Sequence, residues 1–187
     1  MEGNPCLQFF ATTEPQQKVK ELLKVDHQEA LQWESLTASE HSPGPVQPGE
    51  VVCRQVTHPT FFDESGLLKP TAFDDVSNKG LSVDRWGLTS EAEITERANA
   101  RNIEWNANNP EREPRTLHSI GYFSVDNLRA LKVNEQRAFG VYDTALQTNR
   151  AHADVCRLVA GGAQIARSLR ASLFEMVSYT SPTAAQE

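Results

Sequence analysis

The sequence predicts a single α/β or α+β domain, with a small mixed sheet flanked by helices and an amphipathic helical arm at the N-terminus. Three observations favour this class. A chain of 187 residues can fill one hydrophobic core but hardly two. Runs rich in strand-forming residues are interspersed with segments of helical periodicity. Residues 41–50 contain three prolines and two glycines, which no regular element accommodates, so they separate the first helical pattern from the rest.

These features divide the chain into four predicted parts. They are a helical arm at residues 1–40, a Pro/Gly linker at 41–50, an α/β core at 51–180 and a disordered tail at 181–187. After a loose lead-in, Thr13 and Gln16 are typical of a capped helix start, and Pro15 lies where its missing N–H costs nothing. The helix predicted from there to the end of the arm has an apolar face made of Val19, Leu22, Leu23, Ala30 and Trp33.

Within the core, residue alternation, helical spacing and turn signals predict the remaining elements. Strands are predicted at residues 51–56, 80–85, 117–125 and 138–145, and helical segments at 91–106, 126–131, 152–159 and from 163 onward. The helix at 91–106 has the clearest start, because Ser90 and Glu93 form a capping-box pattern. The last helix has the strongest helical period in the chain.

Charge and cysteine content bear on partners and compartment. The net charge of −7 argues against general nucleic-acid binding, which needs concentrated Lys and Arg. The arginines of residues 150–170 are more typical of a solvated helix face than of a phosphate site. There is neither a signal-peptide pattern nor an apolar run of the ~18 residues needed to span a membrane. Three widely spaced cysteines favour reduced thiols. We therefore expect a cytoplasmic protein with no membrane partner.

Arg54 and His152 are the two leading candidates for a site. In the alternation of the first predicted strand, Arg54 shares a face with Val52 and Val56. A buried arginine needs a partner, so Arg54 is either half of a structural ion pair or a ligand contact. His152 would begin a helix, where anions bind readily. The two side chains could therefore line one cleft.

A metal site is not predicted. His152 and Cys156 are spaced as two residues that share a helix face, and Cys53 could add a third ligand. However, the sequence has no paired CxxC or HxxxH pattern, and buried thiols are common in cores. A cysteine nucleophile, Cys53 with His118 or His152, also lacks a local signature.

One ordered set of residues resembles a known group of proteins. The set is Arg54, Pro59, Phe62, Gly66, Ala72-Phe73, Leu81-Ser82-Val83-Asp84 and, far downstream, His152-Ala153-Asp154-Val155. It resembles a family of small uncharacterised prokaryotic proteins and covers residues 51–170, leaving out the arm. The likeness departs at residues 157–162, where a turn containing Gly-Lys is expected. The resemblance implies a single-domain core and no particular mechanism.

A second ordered set of residues in this chain resembles the order found in NAD-consuming ADP-ribosyl transfer folds. There an early strand bears an Arg, a later strand bears a Ser, and an acid follows on a later element. Arg54 would then hold the cofactor phosphates, Ser82 would brace the strand at the nicotinamide ribose, and Asp143 would support the oxocarbenium-like centre. The usual Glu after the final strand is not identifiable.

Two functional hypotheses follow. The first is a non-catalytic protein-interaction or regulatory protein of the prokaryotic cytoplasm, without a cofactor, whose N-terminal helix docks on a protein partner. The alternative is an ADP-ribosyltransferase-like enzyme or toxin that consumes NAD. The candidate site residues are Arg54, Ser82, Asp143 and His152.

Overall fold

The computed structural model describes residues 3–180, which form an α+β fold around an antiparallel sheet. In chain order the strands are β1 (Val51–His58), β2 (Leu81–Arg85), β3 (Thr116–Ser124), β4 (Lys132–Val133), β5 (Gln136–Arg137), β6 (Phe139–Tyr142), β7 (His152–Arg157) and β8 (Ser178–Thr180). Six of them form one sheet in the order β6-β7-β2-β1-β3-β8, and β4 and β5 form a separate hairpin. The predicted tail, residues 181–187, lies outside the described residues.

The helices are α1 (Pro5–Thr12), α2 (Lys18–Leu22), α3 (His27–Trp33), α4 (Glu91–Asn108), α5 (Val125–Ala130) and α6 (Ala163–Met176). Short 3-10 helices cover Pro15–Gln17, Pro70–Ser77 and Trp86–Leu88. Across residues 3–180, none of the helices has the length and apolar character needed to cross a membrane.

The sheet is antiparallel at every described pairing, so the predicted mixed sheet is wrong. The reason is that the crossover connections, such as α4 between β2 and β3, join strands that are separated in the sheet by a strand of opposite direction, here β1. The α+β alternative of the predicted class is confirmed. The predicted helix starting at 91 is also confirmed, with both halves of its Ser90–Glu93 capping box in place.

One face of the sheet carries the main hydrophobic core. Inward side chains of the strands, among them Val52, Val83 and Val155, are almost completely buried there. The predicted stripe of the final helix is confirmed, since Leu169 and Leu173 of α6 are buried in this cluster. The opposite face is covered partly by α4 and partly by the N-terminal helices. It carries Cys53, Asp84 and His152, whereas Arg54 lies on the face of Val52.

The N-terminal region differs from the single helix predicted for it. The predicted loose lead-in contains α1, and the continuous helix is replaced by α2 and α3. The break occurs at Asp26, whose carboxylate accepts hydrogen bonds from the backbone N–H groups of Gln28 and Glu29 and so begins a new helix.

These helices pack on the sheet. Their buried side chains form a second hydrophobic cluster with Tyr142, Cys156 and Leu158 of the core. The Tyr142 hydroxyl donates to the carbonyl of Ala30 at 2.9 Å, and the N–H of Val19 donates to the carbonyl of Asn78 at 2.9 Å. The apolar face predicted to meet a partner is thus covered by the chain itself.

The Pro/Gly segment at 41–50 is also packed. Arg85 donates to the carbonyl of Gly44 at 2.6 Å, and Arg129 donates to the carbonyl of Val46 at 2.9 Å. The Val46 side chain is only 3% exposed. Side chains of the core therefore hold this segment in place.

The helix predicted at 152–159 is wrong, because His152–Arg157 is strand β7. Its side chains alternate between two covered faces. Ala153 and Val155 enter the main core, and Asp154 and Cys156 are buried on the other side. Burial on both faces hides the alternation of polarity that normally marks a strand.

Candidate ligand-binding site

A cavity of about 950 Å³ is bordered by α4 and by residues of strands β1, β2 and β7. Its lining includes Cys53 and Gln55 of β1, Ser82 and Asp84 of β2, His152 of β7, and Arg97, Arg101 and Trp105 of α4. Small-molecule pockets typically have volumes of about 300–1,000 Å³, so this cavity can hold an organic ligand.

Strand register brings the sheet residues of the lining together. Cys53 pairs with Asp84, and Asp84 pairs with His152, so the three occupy one row across β1, β2 and β7. Ser82 pairs with Asp154 two residues further along the strands. Residues opposite each other in an antiparallel sheet point to the same face, which explains why positions so far apart in sequence meet here.

Asp84 is a buried carboxylate with two partners. Arg97 of α4 donates to one of its oxygens at 3.1 Å, and the Asn149 amide donates to the other at 2.6 Å. Only 8% of its side chain is exposed. These bonds join α4, β2 and the loop before β7, and they satisfy a charge that would be costly to bury alone.

The cysteines are poor candidates for chemistry. Burial raises the pKa of the Cys53 thiol to about 12, and the thiol donates to the Asp84 carbonyl at 3.3 Å. Burial also raises the pKa of Cys156. A thiol that stays protonated near neutral pH is neither a good nucleophile nor a good metal ligand.

The spacing of His152 and Cys156, which would suit two metal ligands on a helix, lies on a strand. His152 and Cys156 are four residues apart on β7, which separates them by about 13 Å. The described part of the chain has no cluster of three His, Cys, Asp or Glu side chains suited to a metal ion.

Arg54 is both ion-paired and part of the cavity lining. Its guanidinium donates to the Ser82 carbonyl at 3.0 Å and lies 3.3 Å from a carboxylate oxygen of Asp75. The side chain is 11% exposed. Burial lowers the pKa of Arg54, with Asp75 opposing that effect. Both readings of Arg54 made from the sequence therefore fit its position.

Arg97 and Arg101 extend this positive charge along α4. Arg101 hydrogen-bonds to the neutral side chain of Gln55 and forms no salt bridge within residues 3–180. Loss of hydration lowers the pKa of Arg101, Asp84 raises it, and the charge of Arg97 lowers it further. The charge of Arg101 in turn lowers the pKa of Arg54. Arg101 is thus close enough to repel both Arg54 and Arg97.

His152 and Ser82 meet around the buried Asp154. One Asp154 oxygen accepts from the Ser82 hydroxyl at 3.4 Å and lies 3.9 Å from His152 Nε2. The other oxygen accepts from Lys18 of α2 at 2.6 Å. His152 Nδ1 lies 3.0 Å from the Thr144 hydroxyl, which fixes the ring. The N-terminal region therefore supplies the counter-charge of a carboxylate next to the cavity.

Gly80 is required beside this carboxylate. Its φ of +87° is the left-handed region that glycine adopts most easily. A Cβ at this position would lie 3.1 Å from the Cβ of Asp154 and 3.0 Å from the sulfur of Cys156. The close approach lets β2 begin directly against β7.

Asp143 lies elsewhere. It hydrogen-bonds with the Ser42 hydroxyl and is 3.6 Å from a guanidinium nitrogen of Arg85. It is absent from the described lining of the cavity. Of the four predicted site residues, the structure brings Arg54, Ser82 and His152 to one cavity and leaves Asp143 outside it.

Among the lining residues that the sequence does not mark as candidates, four matter most for the chemistry of the cavity. They are Arg97, Arg101, Trp105 and Arg115. The first three are spaced by four residues, which places them on one helix face. The recurrence of arginine on that same face was the signal that could have identified a polar site.

No family model, curated protein or solved structure matched this chain. The resemblance of residues 51–170 to small prokaryotic proteins stays a prediction.

Proposed function

We propose that this protein binds a small organic anion in the cavity beside α4. The observation that carries the proposal is that three guanidinium groups line one cavity, those of Arg54, Arg97 and Arg101, which we call the arginine cluster. Within it, Arg101 repels both Arg54 and Arg97. A phosphate or carboxylate bound among them would relieve the repulsion and accept charge-assisted hydrogen bonds.

The charge of the cavity contrasts with that of the chain. The described lining contains five Lys or Arg side chains and three Asp or Glu side chains, an excess of two positive charges. The chain as a whole has a net charge of −7. Positive charge concentrated in a cleft attracts anionic ligands and raises their rate of association.

Unpaired donors support the same ligand class. The Nε atoms of Arg54 and Arg97 are buried and have no hydrogen-bond partner among the described residues. A buried donor without an acceptor costs free energy, and an oxygen-rich ligand would supply acceptors.

Ligand binding accounts for the structure better than docking of the N-terminal helix. That hypothesis needed a free apolar face, and the apolar side chains of α2 and α3 are buried against Tyr142 and Leu158. The cavity, in contrast, is open to solvent and is lined by charged side chains.

Pyrophosphate, a small anion without a ring, is a direct probe of this proposal. Isothermal titration calorimetry at low ionic strength should detect binding, which should weaken as salt is added. Arg101→Ala should lower the affinity about tenfold or more, because a charge-assisted contact is lost. Its melting temperature should stay close to wild type, since Arg101 forms no salt bridge within residues 3–180.

Arg112→Ala is the matched control. Arg112 is about two-thirds exposed and pairs only with the adjacent Glu111 in the described chain. Its loss should leave the affinity unchanged. Absence of pyrophosphate binding to the wild type, or an equal effect of the two substitutions, would contradict the proposal.

A second candidate is the NAD-consuming enzyme. The observation that favours it is that Arg54, Ser82 and His152 line one cavity. The carboxylate role assigned to Asp143 is not filled by that residue, and Asp84 of the lining is held by Arg97 and Asn149. Nicotinamide release from NAD, lost in Arg54→Ala protein of native circular dichroism, would support turnover. No release from the wild type would rule it out.

A further inference from the structure

We infer that the anion is a mononucleotide, whose phosphate meets the arginine cluster and whose base stacks at the Trp105 end of the cavity. The inference rests on the proposed anion binding and adds the class of ligand. It is carried by a planar platform at the far end of the lining from His152.

The platform consists of Trp105 and Arg115. The Arg115 guanidinium carbon lies 3.7 Å from the centre of the Trp105 ring, so the two planar groups are in contact. Both line the cavity. Aromatic rings and arginine planes are the groups on which proteins stack nucleic-acid bases.

The platform is held rigidly. The Asn106 side chain accepts from the backbone N–H of Arg115 at 2.7 Å and donates to the carbonyl of Arg115 at 3.0 Å. Asn109 donates to the Trp105 carbonyl at 2.8 Å. A loop fixed in this way can present Arg115 without the entropy cost of ordering it on binding.

Polar groups beside the platform can donate hydrogen bonds to the edge of a base. The amide nitrogen of Asn102 is buried, lines the cavity, and has no acceptor among the described residues. Arg115 Nε is also buried without an acceptor within residues 3–180. Bases carry ring nitrogens and carbonyl oxygens that accept such hydrogen bonds.

The separation of the two ends fits one nucleotide. Arg101 and Trp105 are four residues apart on α4, a rise of about 6 Å along the helix axis. That is roughly the length of one sugar, which joins phosphate and base in a nucleotide. A long nucleic-acid strand is disfavoured, because the net charge of −7 opposes extended phosphate contacts.

The experiment compares nucleotides with ribose 5-phosphate, the part of a nucleotide that lacks the base. Calorimetric titrations of AMP, GMP, CMP and UMP are set against ribose 5-phosphate. At least one nucleotide should bind the wild type about tenfold more tightly than ribose 5-phosphate, the gain expected from stacking of one base. Trp105→Leu keeps apolar volume but removes the aromatic face, so it should abolish this preference by weakening the binding of the nucleotide.

Two further variants distinguish the contribution of the base-binding end of the site from that of the phosphate-binding end. Trp105→Phe keeps an aromatic face and should retain most of the preference. Arg101→Ala should lower the affinities for nucleotides and for ribose 5-phosphate by the same factor. If pyrophosphate and ribose 5-phosphate bind but no nucleotide binds more tightly, the nucleotide inference is wrong and anion binding stands. If none of these anions binds, the proposed function itself fails.

Discussion

Arg85 joins distant parts of the chain through a single buried guanidinium. It donates to both oxygens of Glu50 at 2.8 and 2.7 Å and to the carbonyl of Gly44 at 2.6 Å, and it lies 3.6 Å from Asp143. Its side chain is 7% exposed. It therefore fixes the segment at 41–50 to strand β2.

We predict that Arg85→Ala lowers the free energy of unfolding by about 3–5 kcal/mol, the cost of leaving buried partner charges uncompensated. Chemical denaturation followed by circular dichroism measures the change. Arg112→Ala, on an exposed side chain, should cost less than about 1 kcal/mol. If Arg85→Ala lowered the free energy of unfolding by as little as Arg112→Ala, the burial of Glu50 and Asp143 would not depend on Arg85.

Asp143 should make stability depend on pH. Burial raises its pKa from the ordinary value of 3.8 to about 6, with Arg85 opposing the effect. Between these two values the folded state binds more protons than the unfolded state, so this group's contribution to stability falls as pH rises. The melting temperature of Asp143→Asn, relative to wild type, should therefore rise between pH 4 and pH 6. A difference that is flat or falls over this range would contradict the assignment.

Among the helices and strands, those with a strong local sequence signal could be predicted and those without one could not. Helix α4 carries its own start signal in Ser90 and Glu93, so it could be located from sequence. Strand β7 could not, because both of its faces are buried and its apolar pattern resembles that of a short helix. The antiparallel register also depends on contacts between segments far apart in the chain, which local patterns do not encode.

The site could be predicted from the sequence only as far as the elements that carry its residues could be predicted. Arg54 could be predicted as a site residue because an arginine that shares a strand face with valines needs a partner for its charge. Its partner Asp75 lies in a 3-10 helix of the following connection, and nothing in sequence spacing joins the two. Lys18 and Asp154 form a salt bridge across 136 positions. Such a pair follows from the packing of α2 on β7 and has no local signature.

The capping box of α4 can be tested directly. Ser90 accepts from the N–H of Glu93 at 3.3 Å, and Glu93 accepts from the N–H of Ser90 at 2.8 Å. Ser90→Ala should lower the free energy of unfolding by about 1 kcal/mol. Asn99→Ala, at an exposed position in the same helix, should be neutral or slightly stabilising, since alanine favours helix. A neutral Ser90→Ala would mean that packing alone fixes where α4 begins.

At the scale of the whole molecule, the N-terminal region and the sheet share one core. Trp33 and Val19 are buried in the same cluster as Tyr142 and Cys156. Lys18 also neutralises Asp154 next to the cavity. Stability of the sheet and formation of the candidate site therefore depend on residues 1–40, which the sequence pattern had separated from the core.

This interdependence predicts the behaviour of a truncated chain. A fragment of residues 51–187 would expose the side chains of Tyr142, Cys156 and Leu158, which the N-terminal helices cover. It would also leave Asp154 without the cation that lies 2.6 Å away in the full chain. Apolar area returned to water costs roughly 25 cal/mol per Å². We therefore expect the fragment to aggregate or to lack a cooperative thermal transition, as measured by circular dichroism.

Limited proteolysis of the full chain is the complementary measurement. Because Arg85 and Arg129 hold the backbone at Gly44 and Val46, residues 41–50 should resist cleavage until the whole protein unfolds. Arg85→Ala releases one of these contacts and should make the segment a cleavage site. Early cleavage of the wild type within 41–50 that leaves a stable, folded fragment from about residue 51 would contradict the shared core. It would restore the independent arm that the sequence pattern predicts.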